Sequence, residues 1–146
     1  MRPVFSFLRR VRHGMTLGVR VLALDGAGRV LLVRHSYVAG WHLPGGGVDL
    51  GESAETAARR ELREEANVEA EGPLSLAGVY FNPRVGGRDH VVLFRAERLA
   101  IGPRPERNLE ILATGFFAPD ALPEDVSPAT MRRLAEWRGA PASDMW

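Results

Sequence analysis

Apolar residues occur along most of the chain in short runs broken by Gly, Pro, Asn or Asp, and helical spacing shows in only two places. Residues 16–24 (TLGVRVLAL) read as a buried strand, Asp25-Gly26-Ala27-Gly28 as a turn and residues 29–35 as a second strand, which together predict a hairpin. A loop at 37–40 and the stretch Trp41-His42-Leu43-Pro44 then lead into three glycines. Residues 54–66 are rich in Ala, Leu, Arg and Glu, all strong helix formers. Ala58, Leu62 and Ala66 fall on one side of that helix and can pack on a sheet. Ser53 is placed to cap its start, and Asn67 stands where a left-handed residue ends a helix. After Gly72-Pro73, residues 74–81 and 90–95 read as strands flanking a loop at 82–88, a second hairpin. Residues 101–109 (IGPRPERNL) read as a Pro-rich loop, and 114–117 as a short strand. Ser127-Pro128 opens a second helix that runs to about residue 138, with Met131, Leu134, Ala135 and Trp137 as its apolar positions. Residues 140–146 are expected to form a loose tail. Two hairpins and two helices, unevenly alternated, give an α+β class.

At 146 residues the chain is read as one domain, 1–146, large enough for a real core. Its net charge of +1 exerts no strong pull toward nucleic acid or membrane. All 19 basic residues are Arg, which removes lysine chemistry, and the absence of Cys removes disulfides, thiolate nucleophiles and zinc–cysteine sites. The four His show no zinc-ligand spacing. No apolar run is long enough to span a bilayer, and Arg9-Arg10 interrupts the first apolar stretch, which argues against a secretory signal. The expectation is a soluble cytoplasmic protein with neither a membrane nor nucleic acid as partner. Residues 1–14, an N-terminal extension, read as a strand or short helix packing on the domain or on a second subunit, which leaves a homodimer open. The competing reading is a basic amphipathic contact with membrane or RNA.

Chemistry concentrates on the first helix. Glu61, Glu64 and Glu65 are spaced i, i+3, i+4 and share one face. Three adjacent carboxylates can simply be a solvated acidic face. The glycine loop just before them also suits a hard divalent cation, which prefers oxygen ligands such as carboxylates and a loop carbonyl. Ala54 and Ala57, nearly on the same side, leave room for that loop. Arg60 is expected to point away from the glutamates and reach back to Glu52. Elsewhere, Trp41 is a candidate for stacking on a nucleobase or for the core. His42 is either a phosphate contact or structural. Arg84 and Arg88, on the loop at 82–88 above Tyr80 and Phe81, are forks for phosphate oxygens or solvated hairpin residues.

From Gly46 the order is Gly, five residues, Glu52, seven residues, Arg60-Glu61-Leu62, one residue, then Glu64-Glu65. This resembles the Nudix box, with one departure: Asn67 stands where the pattern has Gly. The resemblance implies a mixed β-sheet between helices, an α/β/α sandwich. It also implies hydrolysis of a pyrophosphate bond by metal-activated water, with Mg²⁺ or Mn²⁺ as cofactor. By the same resemblance Glu61, Glu65 and the Gly45 carbonyl bind metal, and Glu64 adds a further ligand, directly or through water. Glu52 would orient Arg60 or assist the site. The general base is Glu64, Glu65 or Glu110, the last placed before an aromatic strand. The expected partner is a small nucleotide-type substrate: a nucleotide, nucleotide sugar or ADP-ribose type compound. Alternatives are an RNA 5′-end pyrophosphohydrolase, a non-catalytic nucleotide-binding regulatory module, and a Nudix-like isomerase. The intact Glu61, Glu64 and Glu65 argue against the module, and the absence of Cys against the isomerase.

Overall fold

In the computed structural model, which describes residues 14–146, strand β1 (Thr16–Ala23) does not fold back onto β2 (Val30–His35). The expected first hairpin is corrected: a single bridge, Leu24 to Val30, joins the two strands before they part. β2 lies in a sheet of order β3-β2-β9, with β3 at Trp41–His42 and β9 at Ile111–Phe117. β1 lies in another, of order β4-β1-β7-β6, with β4 at Gly45–Gly47, β6 at Ser75–Asn82 and β7 at Asp89–Ala96. The physical reason is burial. Val30, Leu31, Leu32 and Val33 of β2 are all sealed from solvent, so this strand needs cover on both faces. Asp25 fixes the corner: its Oδ1 accepts the N–H groups of Ala27 (3.0 Å) and Arg29 (2.9 Å), and its Oδ2 accepts Arg29 Nε at 2.7 Å.

β1 pairs in parallel with β7 and antiparallel with β4, so this sheet is mixed. The second hairpin, β6 with β7, is present, with an irregularity between Leu76 and Gly78. A small pair, β5 (Val68–Ala70) with β8 (Leu99–Ile101), was not foreseen, and β8 takes the first residue of the expected 101–109 loop. Three residues are too few to show an alternating pattern.

Helix α1 (Ala54–Ala66) has the limits read from its caps. Ser53 Oγ accepts the Thr56 N–H, and Asn67 is left-handed at φ 54, ψ 43. Ala57, Ala58, Leu62 and Ala66 pack with Val19, Val21, Val92 and Phe94 of the mixed sheet. Helix α2 (Pro128–Trp137) contributes Leu134 to a second cluster with Leu22, Leu24, Leu32, Leu43 and Leu93. The class is α+β, as expected. No helix among the described residues is long and apolar enough to cross a membrane. The reading of residues 1–14 as an extension falls, but for Gly14, outside the described residues.

Residues 140–146 are docked rather than loose. The Phe81 N–H donates to Asp144 O (2.7 Å) and the Trp146 N–H donates to Phe81 O (2.8 Å), so the segment lies along β6. Arg133 of α2 holds it from beneath, donating from Nη1 to Met145 O at 2.7 Å. Backbone groups that find such partners on folding do not stay free.

Candidate active site

Edge strand β4 is made entirely of glycine, and the close approaches around it explain why. A Cβ on Gly45 would stand 2.0 Å from the Val19 carbonyl oxygen, and one on Gly46 would stand 2.5 Å from Glu61 Oε1. Only bare backbone lets α1 bring its carboxylates this near. Beneath the strand, Arg20 Nη1 donates to Leu43 O at 2.9 Å and stands 3.5 Å from Gly45 O.

The three glutamates of α1 share a face but not an environment. Glu65 is 2% exposed; its Oε1 accepts the Gly45 N–H at 3.0 Å, and its Oε2 lies 2.5 Å from His35 Nε2. Glu61 is buried beside it. Burial and the charge of Glu65 push the Glu61 carboxyl up to about 7, against the opposing pull of Arg60. Glu64 is exposed, with Oε2 3.3 Å from Arg60 Nη1.

Arg60 grips Glu52 as expected, through Nε to Oε2 (3.1 Å) and Nη2 to Oε1 (2.6 Å). Its hydrogen bonds, with help from the Asp49 N–H, hold Glu52 below the usual carboxylate range. The expectation that Arg60 points away from the other glutamates is corrected. Nη1 donates to Glu61 Oε1 at 3.0 Å and to Glu64, and Nη2 also donates to Gly47 O at 3.0 Å. A guanidinium carries five donors, and Glu64 is its i+4 neighbour on the helix, so one side chain serves loop and helix together.

Among the described residues no three His, Cys, Asp or Glu groups surround a common point suited to a metal ion. The pieces nonetheless fit a hard cation. Two buried carboxylates crowd each other until one favours its proton, and a divalent ion would replace that proton.

Beyond β4 lies a cleft with two lobes, of about 360 and 340 Å³, that meet at Arg20, Asn82 and Trp146. The first lobe is bordered by Gly46 and Gly47. The second holds Tyr37, His42, Arg84 and Arg132, so the structure brings the expected His42 and Arg84 together. His42 Nε2 lies 2.8 Å from Ala39 O. Burial, joined by the charge of Arg20, depresses its basicity despite that carbonyl.

Trp41 lines neither lobe; it packs edge-on against Phe117 at 5.1 Å, beside the second core cluster. Arg88 is exposed on the 82–88 loop, where its carbonyl accepts the Thr16 N–H at 3.0 Å. Glu110 is exposed at the entry to β9, its carbonyl accepting the Ser36 N–H at 2.8 Å. The Tyr37 phenol is raised chiefly by burial, and the charges of Glu65, Glu110 and Glu61 add to this against the opposing pull of Arg20. Sequence reasoning missed Arg20, His35, Tyr37, Asn82 and Trp146. For Arg20 and His35 the available signal was a basic residue inside an otherwise apolar strand, β1 or β2.

Comparison with known proteins adds the following. The family model of the NUDIX domain matches residues 14–137. A putative 8-oxo-dGTP diphosphatase of Bacillus subtilis (strain 168) is 32% identical over 123 residues, covering 84% of this chain and 80% of that protein. An RNA pyrophosphohydrolase of Dinoroseobacter shibae is 47% identical over 55 residues, 36% of this chain and 34% of that protein. The crystal structure of a MutT NUDIX hydrolase from Burkholderia pseudomallei superimposes with a TM-score of 0.71 at 29% identity, over 82% of this chain and 95% of that one. Glycine strand, carboxylate helix, fold and sequence likeness agree: the chain belongs to the Nudix hydrolase family, enzymes that act on phosphorus-containing anhydrides.

Proposed function

We propose that this protein hydrolyses the pyrophosphate bond of a small nucleoside diphosphate-linked substrate, with Mg²⁺ or Mn²⁺ as cofactor. One observation carries the reading: buried Glu61 and Glu65 are packed against the glycine backbone at 45–46, at the border of a cleft that holds Arg20, Arg84 and Arg132. Glu61, Glu65 and the Gly45 carbonyl would hold the ion, and Glu64 would join them by turning in from solvent. When bound, the ion supplies positive charge to the phosphate oxygens and acidifies water in the site. Arg60 and Glu52 keep the glycine strand and helix at a fixed separation. Arg20 and Arg84 offer planar forks to phosphate oxygens in the cleft. Proton removal from water falls to Glu64 or Glu110, both exposed carboxylates, since Glu65 is committed to the ion, the Gly45 amide and His35.

The likeness to an 8-oxo-dGTP diphosphatase over most of the chain supports a free nucleotide substrate. The shorter likeness to an RNA pyrophosphohydrolase supports, as a second reading, a 5′-phosphorylated RNA end. The test is a panel of nucleoside triphosphates, ADP-ribose, nucleotide sugars and a 5′-triphosphorylated oligoribonucleotide, with Mg²⁺ or Mn²⁺. Products are identified by chromatography. Release of a nucleoside monophosphate is the expected result. No cleavage of any of them with either ion would overturn the proposal.

A further inference from the structure

The family model ends at residue 137, yet the cleft does not: Trp146 borders both of its lobes. This indole reaches the cleft because residues 140–146 are fastened down at several points. Two backbone hydrogen bonds tie the segment to Phe81. Ser143 N–H donates to Glu136 Oε1 at 3.0 Å, and Arg132 Nη2 donates to Trp146 O at 2.6 Å.

The main fastening is unusual in cost. Arg133 has a fully buried side chain, paired with Glu136 at 2.9 Å and lying 3.9 Å over the Tyr80 ring. Burying a cation is expensive unless charge and hydrogen bonds compensate it. Here Nη1 is spent on the Met145 carbonyl, so a costly group in α2 serves to hold residue 145 in place. The Trp146 ring in turn stands edge-on to Tyr80 at 5.7 Å, with the Arg133 guanidinium 5.4 Å from its centre. The indole is therefore oriented before any ligand arrives. It stands where the lobe beside the glycine strand meets the lobe of Tyr37, His42 and Arg84, flanked by Arg20 and Asn82.

We propose that Trp146 selects nucleotides over base-free sugar phosphates by offering its ring to the planar base, and that Arg133 and Glu136 are the positioning residues that hold it. This rests on the nucleotide-hydrolase reading of the site. A ligand with phosphate on the glycine side would pass the junction of the lobes with its nucleoside. An aromatic face there suits any base, because every base has a stacking face.

The experiment is calorimetric binding of AMP, GMP and ribose 5-phosphate, with Mg²⁺ present, to wild type, Trp146→Ala and Trp146→Phe. For Trp146→Ala we expect Kd for AMP or GMP to rise about 5- to 150-fold, the range for loss of one base–aromatic stack. Ribose 5-phosphate binding should be unchanged, and Trp146→Phe should recover most of the loss. Arg133→Met should copy Trp146→Ala; if it does not fold, the two Trp146 variants still decide. Equal losses for all three ligands, or none for any, would show the indole to be packing alone and overturn the proposal. Wild type that hydrolyses nucleotides but gives either of those patterns overturns this proposal by itself. Wild type that neither cleaves nor binds any nucleotide overturns the reading of the site, and this proposal with it.

Discussion

The imidazole of His35 and the carboxylate of Glu65 stand 2.5 Å apart, each almost wholly sealed from solvent. With His35 Nδ1 lacking a partner, the Nε2–H tautomer donates to Glu65 Oε2 while the Gly45 N–H serves Oε1. Groups that orient a metal-binding side chain typically contribute about 10- to 100-fold to metal affinity or activity. His35→Leu is therefore expected to weaken Mn²⁺ binding by about that factor. Mn²⁺ titration followed by electron paramagnetic resonance checks it; unaltered affinity in a folded variant would remove His35 from the site.

Gly46→Ala places a methyl group against Glu61 Oε1. Because the obstacle is the end of a flexible side chain, the fold should survive at a cost of about 1–3 kcal/mol, the range for overpacking. Activity should fall far more than stability, since the methyl group displaces a carboxylate proposed to hold the ion. Thermal melts and initial rates on one preparation separate the two effects.

Glu61→Gln should stabilise the metal-free protein while abolishing most activity. Glu61 titrates at about 7 in the fold against an ordinary 4.5, so the folded state holds its proton more tightly. Ionising it costs stability progressively as pH rises from 4.5 to 7, and the whole penalty remains above that. In EDTA the variant should thus melt higher than wild type at pH 8, and this difference should vanish below pH 4.5. A melting difference independent of pH would contradict the crowding of Glu61 and Glu65.

Asn67→Gly should change little. Glycine reaches the left-handed conformation freely, but the bond from Asn67 Nδ2 to Pro103 O (3.1 Å) is lost. One net hydrogen bond is worth about 0.5–1.5 kcal/mol, so melting should shift by a few degrees at most and kcat should be retained. A large drop in kcat would tie the Asn67–Pro103 contact to the 101–109 loop and the site.

How much of this was readable in the chain follows the range of the interactions. Helix α1 was found to the residue because Ser53, Asn67 and the alanine–leucine face are local signals. The carboxylates came with it, since helix geometry alone sets their common face. The partition into two sheets did not, because β1 takes its parallel partner about seventy residues away, with Thr16 opposite Asp89. Nothing in residues 16–35 records that choice. His35 and Arg20 look like interruptions of apolar strands until the folded chain supplies Glu65 and the Leu43 carbonyl. The docking of residues 140–146 is not legible in sequence because what fixes them is Arg133, one of two adjacent arginines on α2.

β4 has no side chains with which to anchor itself, and it stands at the rim of its sheet. Its attachment rests on its ladder with β1, on Arg60 at the Gly47 carbonyl, and on the Glu65 carboxylate that clasps the Gly45 amide. That amide proton is consequently a built-in gauge. Its exchange with deuterated solvent follows the grip of Glu65 on the strand.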